Sequence, residues 1–133
     1  MSCIFCEIVK GNIPCYKIYE DKDTLAFLDI SKEGYGHTLV IPKKHTKCFA
    51  ESSLKELGYC TKVAQKISNH YIKNCGFDGV NIIINNGESA GQSVQHLHVH
   101  IIPRKKGDNL GVWNIKEDQT DLKEVQKYLE VKA

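Results

Sequence analysis

Three histidines recur at every second position in the run His96-Leu97-His98-Val99-His100. On an extended strand successive side chains point to opposite faces, so these imidazoles share one face while Leu97, Val99 and Ile101 share the other. The apolar set can bury against a helix, which fixes the register and holds the imidazoles on the far side. Two chemistries use such a row. Three imidazoles can ligate a catalytic metal. Alternatively, one neutral imidazole attacks phosphorus while its neighbours stabilise the developing charge. With an ordinary pKa of ~6.5, an imidazole is largely neutral and nucleophilic at physiological pH. Phosphoryl transfer also needs donors around the phosphate oxygens. Gly91-Gln92-Ser93, just upstream, supplies backbone N–H groups, an amide and a hydroxyl.

The elements that must position this row are legible in outline. A short helix from about Ile4 to Lys10 stops at Gly11, with Pro14 just beyond. Tyr16–Tyr19, Thr24–Ile30 and His37–Ile41 are short runs rich in β-branched and aromatic residues, which predicts strands in a meander. Leu54, Leu57, Cys60, Ala64, Ile67 and Tyr71 then recur at steps of three and four, the apolar face of a helix. Ser53 and Glu56 form a capping box at its start, and Cys75-Gly76 ends it. Val80–Asn85 and His96–Ile102 predict two more strands, joined by the loop Asn86–Ser93, and Asp121–Val131 predicts a final short helix. The pattern predicts an α+β fold: a mainly antiparallel five-stranded sheet with two main helices in one domain. Residues 1–104 form the motif-bearing core and 105–133 a tail ending in the short helix.

The chain has 133 residues and a formal net charge of +2, so no strong field draws it to nucleic acid or to a membrane surface. Lys43-Lys44 and Arg104-Lys105-Lys106 are short basic spots that favour at most a small anion. No stretch approaches the ~20 apolar residues of a membrane span, and the N-terminus lacks the features of a secretory signal. A cytoplasmic location is expected, in which six cysteines are reduced thiols or metal ligands. Cys15, Cys48, Cys60 and Cys75 have no motif around them, whereas Cys3-Ile4-Phe5-Cys6 has the spacing with which two thiolates grip one metal ion.

His96-Leu97-His98-Val99-His100-Ile101-Ile102 resembles the signature of the histidine-triad (HIT) nucleotide hydrolases and transferases. Asp29-Ile30, Gly36-His37-Thr38-Leu39-Val40-Ile41-Pro42, Asn85 and Gly91-Gln92-Ser93 resemble family motifs in order and spacing, from about Cys3 to Arg104. The resemblance implies cleavage of nucleoside phosphoramidates or dinucleoside polyphosphates through a covalent nucleotidyl-histidine on His98. It places His100 and His37 beside the α-phosphate, and Ser93 on the leaving group or phosphate with Gln92 and the Gly91 backbone next to it. Asn85 would lie on the nucleotide side, Asp29 would accept from the ribose hydroxyls, and Ile4, Phe5, Ile8, Phe27 and Ile30 would line a purine pocket. Plain core packing explains each of these apolar residues singly just as well.

The zinc-carrying, bacterial-type members of that family resemble this chain in having two N-terminal cysteines and histidines at the places of His45 and His96. A structural Cys2His2 zinc with ligands Cys3, Cys6, His45 and His96 is implied, with no catalytic metal. His96 would then serve structure while His98 and His100 serve chemistry. A homodimer paired through the middle helix and an adjoining strand is implied too, with a purine nucleotide as the small-molecule partner. Two other readings stay open: a metal-dependent hydrolase using all three histidines as ligands, and a nucleotide-binding regulatory module with little turnover. His70 reads as a helix-surface histidine, and Trp113 as the cover of a pocket, a subunit contact or part of a satellite aromatic cluster.

Overall fold

The structure is a computed structural model that describes residues 3–31, 34–111 and 118–131. Trp113 lies outside the described residues. The element order is α1 (Ile4–Val9), β1 (Lys17–Glu20), β2 (Thr24–Leu28), β3 (Thr38–Pro42), α2 (Leu54–Asn74), β4 (Gly79–Ile83), β5 (Val99–Arg104) and α3 (Leu122–Leu129). The five strands form one sheet in the order β1-β2-β3-β5-β4, and every neighbouring pair is antiparallel. The expected α+β class and five-stranded antiparallel sheet are what the chain adopts, with α2 as its dominant helix.

Alternation along the strands divides the interior in two. One cluster joins Ala26, Val40, Leu97, Val99 and Ile101 of the sheet side to Cys60, Val63, Ala64, Ile67 and Tyr71 of α2. The other joins Phe5 of α1 to Leu25, Phe27, Leu39 and Ile41 on the opposite face. Full burial of each Val, Leu, Ile or Phe contributes about 1.5–3 kcal/mol. A one-residue slip of β5 would carry His98 and His100 into the first cluster and eject Val99 and Ile101. That penalty is what aims the imidazoles toward α1.

The helix ends follow their caps. The Ser53 hydroxyl accepts from the Glu56 N–H at 3.1 Å, and Gly76, just past the Cys75 cap, has φ +80°. Tyr71 ties α2 to β3 through its hydroxyl, 2.7 Å from Thr38 Oγ1. Leu54 departs from the expected helix face: it lies in the first turn, overhangs the sheet and is 86% exposed, while Val63 takes a core position. The strand expected at His96–Ile102 also differs. It begins only at Val99 and runs on to Arg104, because the preceding residues bend and pair elsewhere, Leu97 N–H donating to Thr46 O at 2.6 Å. The facing of the histidines survives, since Leu97 is still buried with Val99 and Ile101.

Candidate active site

The site is built where β5 crosses the α1 side of the sheet. In register, His100 sits between Leu39 of β3 and Ile83 of β4, and His37 immediately precedes β3. His98 is buried, and its Nδ1 lies 2.8 Å from the carbonyl oxygen of His96. A carbonyl can only accept, so Nδ1 carries the proton and Nε2 is left with its lone pair free. Burial lowers the His98 pKa, with His37 adding to the effect, against the opposing pull of the His96 carbonyl and of Asp29. The ring is thus held neutral and in one tautomer. Phe5 meets it edge-on, with ring centroids 5.1 Å apart at 87°.

His100 and His37 form a pair, with His100 Nδ1 2.9 Å from His37 Nε2. The far nitrogen of His100, Nε2, is buried and has no hydrogen-bond partner among the described residues. Burial, then the adjacent His98 and His37, push the His100 pKa down to about 4. A neutral ring that accepts at Nδ1 presents an N–H at Nε2, a donor without an acceptor. Asp29 Oδ1 accepts from the Ser31 N–H at 2.9 Å, and Oδ2 lies 3.9 Å from His37 Nε2. Burial works to raise the Asp29 carboxyl, but Ser31, His37 and His100 outweigh it and hold it below the ordinary range.

A cavity of about 220 Å³ opens onto these groups, lined by Ile4, Phe5, Ile8, Phe27, Asp29, Ile30, Ser93, His98 and His100. The apolar residues expected around a base therefore meet the histidines and Asp29 in one place. Ile30 and Ile4, which line this cavity, are 78% and 49% exposed. Ile13, Pro14, Cys15, Leu28, Leu39 and Val94 also line this cavity and were not foreseen. The stretch from Ile13 to Cys15 is irregular and carries no periodicity to read. A larger cavity of about 640 Å³ shares Leu28 and Asp29 but is otherwise walled by residues such as Tyr35, His37, Tyr71 and Phe77, without His98 or Ser93. Chemistry, not size, distinguishes them: the smaller one brings His98, His100, Ser93 and Asp29 together.

Ser93 borders both the first cavity and a polar one of about 500 Å³ lined by Glu88, Gly91, Gln92 and Gln95. The loop before it is closed on itself by Gln92. That buried side chain accepts from the Gly87 N–H at 2.9 Å and donates to Lys47 O and Val94 O at 2.7 and 3.0 Å. The Gln92 amide thereby shapes the loop, leaving Ser93 as the polar side chain facing the cavity. Gly91 has φ +98°, and a Cβ there would stand 3.4 Å from Asn85 Nδ2. Gly91→Ala is expected to cost about 1–2 kcal/mol through the left-handed backbone. A thermal melt beside the unmodified chain checks this.

On the other side of Phe5 lies a second cluster, in which ligand atoms of Cys3, Cys6, His45 and His96 all fall within 4.8 Å of one another. Cys3 Sγ and Cys6 Sγ stand 3.2 and 3.5 Å from His96 Nδ1, and Cys6 Sγ stands 3.2 Å from His45 Nδ1. Tetrahedral zinc with ordinary Zn–S and Zn–N bonds separates such atoms by about 3.5 Å. His96 is fully buried and its Nε2 donates to Pro42 O at 2.8 Å, which leaves Nδ1 bare toward the thiols. Partial burial, and then the hydrogen bond and charge of Cys3, push the Cys6 thiol up to about 11. A cation beside the Cys6 sulfur would favour its thiolate. The donor set fits zinc.

Comparison with known proteins agrees with this geometry. The HIT domain model matches residues 10–107. The chain is 49% identical over 125 residues to a HIT-like protein of Methanocaldococcus jannaschii, covering 94% of this chain and 96% of that one. It is 44% identical over 113 residues to the adenosine 5'-monophosphoramidase of Schizosaccharomyces pombe, covering 84% and 82% of the two chains. A zinc-bound histidine triad family protein from Mycobacterium smegmatis superposes with a TM-score of 0.78 at 43% identity, over 84% of this chain and 81% of that one. With the family model spanning most of the sequence and relatives this similar over most of their length, the chain belongs to the HIT domain family.

Proposed function

We propose that the chain is a nucleotidyl hydrolase that cleaves nucleoside phosphoramidates or dinucleoside polyphosphates at the α-phosphate, by way of a nucleotidyl-histidine on His98. One observation carries the reading: the Nδ1–H of His98 is tied back to the His96 carbonyl, which leaves a neutral ring with its Nε2 lone pair at the cavity. The lone pair forms a bond to phosphorus as the bond to the leaving group breaks, and the leaving group departs with the electron pair. Water then displaces the imidazole, its oxygen bonding to phosphorus and its proton passing to solvent.

The neighbours are arranged for the charge this develops. The Nε2–H of His100 gains a phosphate oxygen as its acceptor, and His37 supports it from behind through Nδ1. Ser93 stands between the nucleoside cavity and the polar one, where a leaving group would depart. The Asp29 carboxylate accepts from ribose hydroxyls, while Asn85 stands against Gly91, whose backbone borders the polar cavity beside Ser93. Ile4, Phe5, Ile8, Phe27 and Ile30 hold the purine. The cavity is smaller than the ~300–1,000 Å³ usual for drug-sized ligands, so it suits one nucleoside with the remainder of the substrate outside. The S. pombe relative is an adenosine 5'-monophosphoramidase, which supports the reading.

A structural zinc on Cys3, Cys6, His45 and His96 belongs to the proposal, supported by the donor geometry and by the zinc-bound M. smegmatis relative. A catalytic ion held by all three triad histidines is disfavoured. His96 offers its bare nitrogen to the sulfurs and its other nitrogen to Pro42 O, so neither is left for an ion shared with His98 and His100. Incubation with adenosine phosphoramidate and with diadenosine polyphosphates tests the activity. Release of AMP from at least one of them is expected. AMP binding without turnover on the whole panel would favour the regulatory module.

A homodimer is proposed through β4, which lies at the sheet edge and exposes Ile82 (49%) and Ile83. An apolar edge strand with unpaired backbone groups is a template for a second copy. Ile82→Lys should convert a dimer to a monomer in light scattering at micromolar concentration. An unchanged mass would rule out this edge. Among the described residues no helix is long and apolar enough to cross a membrane.

A further inference from the structure

Beyond the four-donor cluster, one other group of metal-ligating side chains among the described residues closes on a point: a carboxylate oxygen of Asp29 and one nitrogen each of His37 and His100 lie within 4.8 Å of one another. His37 Nε2 is 2.9 Å from His100 Nδ1 and 3.9 Å from Asp29 Oδ2. Tetrahedral bonds of ordinary length to nitrogen and oxygen place ligand atoms about 3.3 Å apart. The two separations lie on either side of that value, so shifts of about half an ångström would complete three corners. The fourth corner would fall to water, because Asp29 borders two open cavities through which an ion can enter. We propose that Asp29, His37 and His100 form a second, reversible site for a borderline divalent transition metal such as Zn²⁺, and that an ion bound there blocks the nucleotide.

The donor set selects the ion. Two imidazoles and one carboxylate suit zinc, cobalt, nickel or copper and discriminate against magnesium and calcium, which prefer oxygen ligands. Burial keeps the His100 ring from protonating, and Asp29 is held as a carboxylate by its neighbours. When the ion binds, the proton between the two rings leaves, to water or to the other nitrogen of His37. The hydrogen bond between them is replaced by two bonds to metal. With three protein ligands and no thiolate, the site is weaker than the Cys2His2 cluster and fills only after it. Inhibition follows from overlap and rests on the nucleotide reading. The ion engages Asp29, which that reading assigns to the ribose, and recruits Nδ1 of His100, which turns the ring and withdraws its Nε2–H from the phosphate.

The test counts ions in nucleotide-free protein whose cysteine site already holds zinc. Added Co²⁺ should bind as one further equivalent, with the visible absorption of a nitrogen- and oxygen-ligated ion and without the near-ultraviolet band of thiolate ligation. Asp29→Asn and His37→Gln, checked for folding by melting, should each weaken that equivalent at least about tenfold, whereas His98→Ala should keep it. In the unmodified chain AMP should weaken it by a similar factor, and excess Mg²⁺ should not displace it. Absence of a further equivalent would overturn the site, as would thiolate absorption alone or equal affinity in both variants. A further equivalent indifferent to AMP would overturn the proposed overlap. None of these measurements needs turnover. A chain that takes the second ion but hydrolyses nothing refutes the hydrolase reading and leaves the metal site standing.

Discussion

His98→Ala should lower turnover of any nucleotidyl substrate by at least about 10⁴-fold, while the protein stays folded and still binds AMP within a few-fold of the unmodified affinity. Removing an attacking group typically costs this much, because the remaining site can position the phosphate but offers nothing to displace the leaving group. His100, Ser93 and the apolar cavity remain in place, so ground-state binding persists. The structural penalty is modest, since the ring gives up one hydrogen bond, to a carbonyl, and its edge contact with Phe5. The His96 carbonyl is left without that donor, at a cost of about 1–3 kcal/mol. Steady-state kinetics beside a thermal melt separates the two effects. A loss of turnover matched by loss of folding, or a variant retaining more than a tenth of the activity, would contradict the assignment.

Removing zinc should produce the second largest effect, on stability and on the base cavity together. An ion that binds only the folded chain stabilises it by about 4 kcal/mol when free zinc is about a thousand times its Kd. Chelation, or Cys3→Ser, should therefore lower the melting temperature by roughly 10–15 °C. The consequence for substrate follows from Phe5. This residue of α1 lies within ring contact of His96, His98 and Phe27, at centroid distances of 5.8, 5.1 and 5.6 Å. Cys3 caps α1, its sulfur accepting from the Cys6 N–H at 3.3 Å. Loosening the cysteines frees the short helix that carries Ile4, Phe5 and Ile8 into the cavity. KM for a purine substrate should rise more than kcat falls. Zinc content by mass spectrometry, with kinetics on the same sample, checks this. A stable, fully active zinc-free chain would remove the structural role.

Where a period governs burial, the sequence disclosed the fold. The three-four stripe on α2 and the Ser53 cap predicted that helix and its ends, and alternation placed His98 and His100 opposite Val99 and Ile101. Strand limits were less visible, because hydrogen bonding rather than residue type ends them. The run from His96 to His98 looks like strand yet bends away before β5 begins. Leu54 satisfied the helical spacing but lies past the edge of the surface that would cover it. The family motif named many of the residues that the structure gathers around one cavity. The wiring was less legible. No spacing announces that Gln92 is consumed by Gly87, Lys47 and Val94, or that His37 and His100 share a hydrogen bond across 63 positions. Contacts between irregular segments, such as Ile13 to Cys15 against the base cavity, leave no period in the chain.

The central claim concerns a bond between His98 Nε2 and phosphorus, and it can be sought directly. Substrate is mixed with enzyme, quenched in base within the first turnover, and the intact mass is measured, followed by digestion to locate any modification. A species heavier by one nucleotidyl group should form and decay with turnover, on the peptide carrying His98, and be missing from His98→Ala. Turnover in which no such species accumulates at any quench time, with inversion of configuration at a chiral phosphorus, would show that water attacks in a single step.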